Sequence, residues 1–236
     1  MPKTKEIAHT LKPIALFDEF PEKVRVDYEH RCAWRRCKPE EQIIDRSSDT
    51  HEVFFVVAGS VRIVNFSLSG REISFDDLHA GDFFGELAAI DGKPRSASAV
   101  ALTESVLAIM PPETFRAMVT EHPTLALAIM RRLAKIIRVS TGRIMDLSTL
   151  AAHDRVCAEL VRLARPNLKS DGTARISPIP IHSDIASRVS TTRETVARVL
   201  GELAKHRLLK REHDALVVLD FEGLEAAVEE IADEVG

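Results

Sequence analysis

Residues 85–96 carry side chains that together could hold a ligand with a phosphate and a sugar. Gly85 allows a close approach of backbone to ligand, and the residues after it suit a short helical turn whose N–H groups attract an anion. Arg95 offers a planar fork of donors for phosphate oxygens, and Ser96 adds a hydroxyl donor. Glu86 can accept a hydrogen bond from a sugar hydroxyl. The plainer alternative is a surface ion pair of Glu86 with Arg95, which contributes about 0–1 kcal/mol.

This segment also resembles the phosphate-binding cassette of cyclic-nucleotide-binding domains. The motif Phe-Gly-Glu-Leu-Ala stands at residues 84–88, and Pro-Arg-Ser-Ala follows at residues 94–97. The resemblance implies that a cyclic nucleotide, cAMP or alternatively cGMP, binds inside a β-roll as an allosteric ligand. The residues that it implies for this site are Gly85, Glu86, Leu87, Arg95 and Ser96. In this arrangement Glu86 takes the ribose 2′-hydroxyl, and Arg95 holds the cyclic phosphate together with Ser96 and nearby backbone N–H groups.

A second segment, residues 182–200, has the apolar spacing of two short helices around a tight turn. Arginine and glutamate at the start of the second helix can read guanine and cytosine edges, and threonine there can bind DNA phosphates. The candidate DNA contacts are Thr192, Arg193, Glu194, Thr195 and Arg198. The alternative is that Thr191 and Glu194 form a capping box and that the arginines are ordinary surface residues.

The distribution of charge favours DNA reading. The chain has 32 Lys and Arg against 36 Asp and Glu, and the formal net charge of −4 excludes a uniformly basic nucleic-acid binder. Residues 182–212 nevertheless contain seven Lys or Arg and four Asp or Glu, whereas residues 213–236 contain eight acidic residues and no Lys or Arg. The net charge of the whole chain therefore conceals a basic segment suited to DNA binding, which is followed by an acidic C-terminal segment.

Residues 192–200 resemble the recognition helix of the Crp/Fnr regulators, in particular the cyclic-AMP receptor branch. The resemblance covers nearly the whole chain. It implies a homodimeric transcription factor whose Arg and Glu side chains on this helix read a palindromic TGTGA-like site in double-stranded DNA. It also implies that Ser140 and Thr141 contact the nucleotide base, one from each subunit, and that the polar loop 166–173 touches RNA polymerase.

Three kinds of element are needed to position these segments. Residues 1–110 alternate short apolar strands with turns, and a strand at 52–57 that returns at 61–66 is typical of an antiparallel sandwich or barrel. From Pro123 to about Leu150 a helix carries an apolar seam close to a heptad repeat. Its length favours a dimer helix, and the alternative is a helix that packs on its own domain. The seam residues are Ile129, Leu133, Ile136, Ser140, Ile144 and Leu147. Strand-like segments at 208–211 and 215–219 predict a wing.

The predicted fold class is α+β with three parts. We expect a double-stranded β-helix (jelly-roll) domain that binds cyclic nucleotide at residues 1–122, and a long dimerisation helix with a hinge at residues 123–150. A winged helix-turn-helix is expected at residues 151–236. The acidic end from Phe221 to Val235 is predicted to be a surface helix.

Composition and the lack of certain motifs exclude or disfavour several other classes of protein. Hydrophobic residues make up 45% and charged residues 29% of the chain, which excludes a disordered or fibrous protein. Three cysteines predict reduced thiols, and the lack of a long apolar run predicts a cytoplasmic protein with no membrane partner.

Two other functions are considered. A cupin-type metal enzyme is the alternative from another class of protein, but no His-x-His pair supports it, so we expect neither catalysis nor a metal. A Crp/Fnr regulator that senses oxygen or redox state, with a thiol role for Cys32 and Cys37, is a further alternative.

Overall fold

The computed structural model describes residues 9–68, 70 and 72–229, and it divides into two compact units at residues 134 and 135. The first unit contains α1 (Glu22–His30), β1 (Ala33–Cys37), β2 (Gln42–Ile44), β3 (Val53–Ala58), β4 (Ser60–Phe66), β5 (Glu72–His79), β6 (Phe83–Phe84), α2 (Glu86–Asp91), β7 (Ser98–Ala101), β8 (Ser105–Met110) and α3 (Pro112–Glu121). The long helix α4 (Pro123–Thr149) runs through the boundary. The second unit continues with α5 (Ala152–Ala164), β9 (Ala174–Ile176), α6 (His182–Arg188), α7 (Arg193–Lys205), β10 (Leu209–Arg211), β11 (Leu216–Val218) and α8 (Phe221–Glu229).

The first unit is built on two antiparallel sheets of four strands each. One sheet has the order β1-β8-β3-β6, and the other has the order β2-β7-β4-β5. Strand β3 is buried on both faces: Val53 and Phe55 lie in one apolar cluster, whereas Phe54 and Val56 lie in another. A strand that is covered on both faces is continuously apolar rather than alternating. The structure thus has the antiparallel two-sheet architecture predicted for a β-roll.

The turn at Gly59 joins two sheets instead of closing a hairpin. The sequence predicts that β3 returns through this turn, but β3 pairs with β6 and β8, whereas β4 pairs with β5 and β7. Gly59 has a φ of +84°, and an added Cβ would collide with the backbone and side chain of Ser105. The chain turns at Gly59 as predicted, but the two strands do not pair, because the glycine lets the chain leave one sheet and enter the other.

Helix α4 has two differently covered halves. Near its start, Ile129 is 3% exposed and Leu133 packs against the same core, both within the first unit. The predicted seam is wrong for these two residues, because their own unit already covers them. Leu127 and Met130 in the same half are exposed. Beyond the unit boundary six further large apolar side chains are exposed. They are Ile136, Ile137, Val139, Ile144, Met145 and Leu147, and we name them the exposed α4 stripe.

The second unit is a winged helix-turn-helix. Helices α6 and α7 are separated by a turn at residues 189–192, and their apolar faces share one core with α5. The wing strands β10 and β11 pair as predicted, with a third strand, β9, that the sequence did not suggest. Helix α8 is not an addition lying loosely on the surface, because Leu224 is fully buried in this core. The rest of the predicted acidic helix, residues 230–235, lies outside the described residues.

In the part of the chain that the structure describes, no helix is both long enough and apolar enough to cross a membrane.

Candidate functional site

The cassette begins where β6 turns into the short helix α2. Gly85 is the residue before this helix and has a left-handed φ of +84°. An added Cβ would lie 2.7 Å from Nη1 of Arg95 and 2.8 Å from the carbonyl oxygen of Glu52. Both the conformation and the space at this position therefore require glycine. The short helical turn that the sequence predicts after Gly85 is present.

Arg95 is buried behind this turn, and four hydrogen bonds fix its guanidinium group. Nε donates to the hydroxyl of Thr50 at 3.1 Å, and Nη1 donates to the carbonyl oxygen of Gly85 at 3.0 Å. Nη2 donates to the carbonyl oxygen of Glu52 at 3.0 Å and to its carboxylate at 3.3 Å. The group also lies over the ring of Phe54, with Cζ 5.7 Å from the ring centroid. These contacts hold the planar guanidinium group in one orientation.

Glu86 is a buried carboxylate in the same turn. It is 5% exposed, and burial raises its pKa, which the positive charges of Arg132 and Arg95 partly offset. Arg132 belongs to α4 and is bonded to the first unit, because Nη2 donates to the carbonyl oxygen of Phe83 at 2.7 Å and Nη1 to Asp82 at 3.2 Å. The ionised form of Glu86 can therefore exist there as a hydrogen-bond acceptor.

The other three cassette candidates differ in accessibility. Leu87 is 43% exposed and Ser96 is exposed, so both are open to a ligand. Asn65 on β4 fixes the backbone at Ser96, because its amide donates to the Ser96 carbonyl oxygen at 3.3 Å. Gly85 is half-buried between Arg95 and the chain before β3. The structure therefore brings Gly85, Glu86 and Arg95 together directly and leaves Ser96 and Leu87 at the surface of the same cassette.

Ser140 and Thr141 lie on α4 in the second unit. Both side chains are exposed, next to Val139 of the exposed α4 stripe. Their proposed contact with a nucleotide base is not part of the described site and stays a prediction.

Sequence reasoning missed three residues that hold the cassette: Thr50, Glu52 and Arg132. Thr50 and Glu52 precede β3 and are far from Arg95 along the chain, so only the pairing of β3 with β6 brings them together. The polar run before the apolar strand was the only signal for them. For Arg132 the signal was a positive charge in the part of α4 that packs against its own unit.

The recognition helix α7 exposes the predicted DNA-reading side chains. Arg193, Glu194 and Arg198 are exposed, while Val196 and Val199 are fully buried on the opposite face. The two arginines can therefore donate hydrogen bonds, and the glutamate can accept them, from the exposed surface of α7. The apolar face of this helix packs into the core.

The N-terminus of α7 is capped by a different residue from the one predicted. Thr192, not Thr191, is the capping residue, and its hydroxyl accepts a hydrogen bond from the backbone N–H of Thr195 at 3.2 Å. The capping-box alternative for Thr191 and Glu194 is therefore wrong. The backbone N–H of Glu194 and the Thr192 hydroxyl lower the pKa of the Glu194 carboxyl, so it is ionised near neutral pH.

Arg155 on α5 fixes the turn that precedes α7. Its Nε donates to the carbonyl oxygen of Val189 at 2.9 Å, and Nη2 donates to that of Ser190 at 3.3 Å. Ser190 has a φ of +51°, which is uncommon for a residue other than glycine. The guanidinium group therefore stabilises the turn between the two helices of the reading motif.

The alternatives that involve a metal or a thiol receive no geometric support. Among the residues that the structure describes, no group of three or more His, Cys, Asp or Glu side chains could hold a metal ion. All three cysteines are buried, and burial raises the pKa of Cys32 and of Cys157 to about 12. Thiols with such a high pKa are largely protonated and unreactive at neutral pH.

Comparison with known proteins identifies the domains that contain the two segments. The family model of the cyclic nucleotide-binding domain matches residues 34–122, and the model of the Crp-like helix-turn-helix domain matches residues 154–227. A cyclic AMP receptor protein of Thermus thermophilus is 32% identical over 177 residues, which are 75% of this chain and 79% of that relative. The chain belongs to the Crp/Fnr family. A CRP-like cAMP-activated global transcriptional regulator of Mycobacterium tuberculosis is 28% identical over 173 residues, 73% of this chain and 77% of the relative.

The solved structures show the same fold. A CooA mutant from Carboxydothermus hydrogenoformans superimposes with a TM-score of 0.74, covering 86% of this chain and 88% of that one, at 22% identity. This Crp/Fnr chain is therefore a transcription regulator with a cyclic-nucleotide-binding domain and a helix-turn-helix domain that binds DNA. Of the relatives named here, the one from Mycobacterium tuberculosis carries the description of a transcriptional regulator.

Proposed function

We propose that this Crp/Fnr regulator is a homodimeric, cAMP-dependent transcription factor that acts in the cytoplasm. Bound cAMP promotes binding to a palindromic TGTGA-like site and contact with RNA polymerase. The observation that carries the proposal is the fixed orientation of the buried Arg95 guanidinium, which lies against Gly85 in the turn that also contains Glu86. A buried cation beside a buried carboxylate suits a ligand that has both an anion and a hydroxyl.

The roles of the cassette residues follow from their positions. Arg95 and Ser96 bind the cyclic phosphate, with the backbone N–H groups near Glu86 and Leu87, and Gly85 leaves space for the approach. Glu86 accepts the ribose 2′-hydroxyl, for which its ionised form is the stronger acceptor. Ser140 and Thr141 contact the base; since hydroxyls both donate and accept, cGMP is the competing ligand.

The exposed α4 stripe supports dimerisation. Ile137 is 64% exposed, Ile144 is 63% exposed and Leu147 is 47% exposed, which is an unusual density of apolar surface for one helix. Ile136, Ser140, Ile144 and Leu147 keep the spacing of the predicted coiled-coil seam. A second copy of α4 would cover the apolar side chains and place Ser140 of each subunit at the shared seam, with Thr141 beside it.

DNA reading is assigned to the exposed face of α7. Arg193 and Arg198 would bind guanine edges, and Glu194 would accept from cytosine N4. Thr192 and Thr195 would contact phosphates. In a dimer, two such helices would enter successive major grooves about 34 Å apart.

The proposed mechanism is a population shift. Cyclic nucleotide stabilises the arrangement of the dimer in which both α7 helices can enter the grooves, and it acts only through tighter binding to that arrangement. Equal DNA affinity with and without nucleotide would contradict this mechanism.

The loop 166–173 is the proposed polymerase contact, and hydrogen bonds of Asp171 with Thr173 hold it in a tight turn. Replacing Asp171 and Gly172 should reduce activation and leave DNA binding intact.

Calorimetric titration with cAMP and with cGMP tests the ligand assignment. We expect micromolar binding, about −8 kcal/mol, and at least a tenfold loss in Arg95→Lys, because an ammonium group cannot replace the planar fork. Arg35→Lys is the matched control, since Arg35 pairs with Glu41 in a half-exposed position. Equal affinity of the Arg95→Lys variant and the wild type would remove Arg95 from the site, and tighter binding of cGMP would reassign the ligand.

A further inference from the structure

Arg95 is already paired with an anion of its own chain. The Glu52 carboxylate accepts from Nη2 of Arg95 at 3.3 Å, while the Glu52 carbonyl oxygen accepts from the same nitrogen at 3.0 Å. The side chain of Arg95 is 2% exposed, whereas that of Glu52 is 42% exposed. The guanidinium group is thus buried, and its counter-ion lies at the solvent boundary.

We infer that Glu52 is a specificity-determining residue whose carboxylate makes the Arg95 site select a monoanionic cyclic phosphodiester over a dianionic nucleoside monophosphate. The inference rests on the proposed function of the cassette. It goes further because it assigns a role in ligand selection to a residue outside the cassette motif.

Two carboxylates of the chain act on the single positive charge of Arg95. Glu52 accepts a hydrogen bond from it, and Glu86 interacts with it through space and also with Arg132. Glu86 is unchanged when Glu52 is replaced, so the effect of the Glu52 charge can be isolated. A ligand phosphate that binds the same group lies within several ångströms of the Glu52 carboxylate or must displace it. A cyclic phosphodiester brings one negative charge, whereas 5′-AMP brings nearly two at pH 8, since the second pKa of a phosphomonoester is about 6. The repulsion is therefore about twice as large for the monophosphate.

The magnitude is set by the partial exposure of Glu52. Two unit charges 4 Å apart in water interact by an amount that corresponds to about fivefold in affinity. Removing the Glu52 charge should therefore tighten cAMP binding about fivefold and 5′-AMP binding about 25-fold. The dissociation constant for 5′-AMP divided by that for cAMP should therefore fall about fivefold.

The variant that isolates this effect is Glu52→Gln in the full chain. The glutamine side-chain oxygen can still accept from Arg95, and the Glu52 backbone carbonyl is unchanged, so the orientation of the guanidinium group is preserved. Dissociation constants for cAMP and 5′-AMP are measured by calorimetry at pH 8 and low salt, and thermal melts verify that the variant is folded. Glu41→Gln is the control, because it removes the same charge from a carboxylate that pairs with Arg35 instead.

The outcomes separate the inference from the proposed function. A fall in the ratio in Glu52→Gln but not in Glu41→Gln supports the inference, and the difference should shrink at high salt. Unchanged or weaker binding of both ligands, or an equal gain for both, overturns it while leaving cAMP binding by the wild type as support for the proposed function. Absence of nucleotide binding in the wild type and in the Glu52→Gln variant overturns both.

Discussion

Nη1 of Arg95 donates to the carbonyl oxygen of Gly85 at 3.0 Å, and a Cβ atom on Gly85 would lie 2.7 Å from that same nitrogen. The glycine therefore does two things for the arginine. It supplies an acceptor through its backbone, and it leaves the space in which the guanidinium group lies. The cassette turn and the Arg95 guanidinium group depend on each other, although they are ten positions apart along the chain.

The first prediction follows from that contact. Gly85→Ala should raise the dissociation constant for cyclic nucleotide at least tenfold, because Arg95 must move away from the added methyl group. The left-handed φ adds strain of about 1–3 kcal/mol. Calorimetric titration and thermal melts measure the two effects. Gly92→Ala is the matched control: Gly92 ends the same helix with a φ of +68°, and a Cβ there meets nothing within 4 Å. It should lose stability but keep affinity, so equal affinity losses in the two variants would contradict the prediction.

The second prediction concerns the exposed α4 stripe. Ile137→Glu should shift the protein toward monomer, because a carboxylate would be buried without a partner beside the seam. Analytical ultracentrifugation over a range of concentrations measures the change, which we expect to be at least tenfold in the dimer dissociation constant. Ile181→Glu provides the comparison, since Ile181 is 63% exposed and Ile137 is 64% exposed, but Ile181 lies next to α6. A wild-type protein that is monomeric at all concentrations would disprove the assignment.

The third prediction concerns base reading by α7. Arg193→Ala and Arg198→Ala should each weaken binding to a TGTGA-like duplex by about 1–3 kcal/mol and relax the preference at one base pair. Fluorescence anisotropy with the specific and with a scrambled duplex measures both effects. Arg165→Ala removes the same charge from an arginine that pairs with Glu225 on α8. If all three variants lose the same affinity for both duplexes, these arginines provide only general electrostatic attraction.

The elements that surround the site could be predicted to different extents. The cassette turn, α4, α7 and the wing strands β10 and β11 follow from local patterns, namely a glycine before a short helix, a 3.6-residue apolar period and alternating strands. Local sequence carries these signals because each element forms its own hydrogen bonds or its own apolar face. Strand β9 pairs with β11 although both helices of the helix-turn-helix lie between them along the chain, so no local turn signal reveals it.

The partners of the cassette residues could not be predicted, and the reason is geometric. Arg95 meets Thr50 and Glu52 because β3 and β6 are neighbours in one sheet, and this pairing is not encoded in any local spacing. The same limit applies at Gly59, since a glycine turn between two apolar strands has the same sequence pattern whether the strands pair or enter different sheets. The start of the α4 seam was wrong because an apolar period does not tell which neighbour covers it.

Glu86 supports a prediction about pH. Burial raises the pKa of this carboxyl above its ordinary value of 4.5, and the charges of Arg132 and Arg95 offset only part of the effect. The native state therefore holds the proton to a higher pH than the unfolded chain does. Between 4.5 and the raised pKa, the folded protein binds more protons, so its free energy of unfolding must fall as the pH rises.

Replacing Glu86 with Gln should remove this dependence. Relative to Glu86→Gln, the wild type should lose stability as the pH rises from 4.5 through the raised pKa, which thermal melts of both proteins at a series of pH values measure. Glu41→Gln tests the opposite sign. The backbone N–H of Lys38 and the side chain of Arg35 lower the pKa of Glu41, so its contribution to the free energy of unfolding should be lost as the pH falls below 4.5.

The raised pKa of Glu86 should also affect binding. Affinity for cAMP should rise between pH 4.5 and the raised pKa of Glu86, because the ionised carboxylate is the better acceptor for the 2′-hydroxyl. Affinity for 2′-deoxy-cAMP should not rise, because that ligand lacks the hydroxyl. The same pH profile for both nucleotides would show that Glu86 does not receive the ribose hydroxyl.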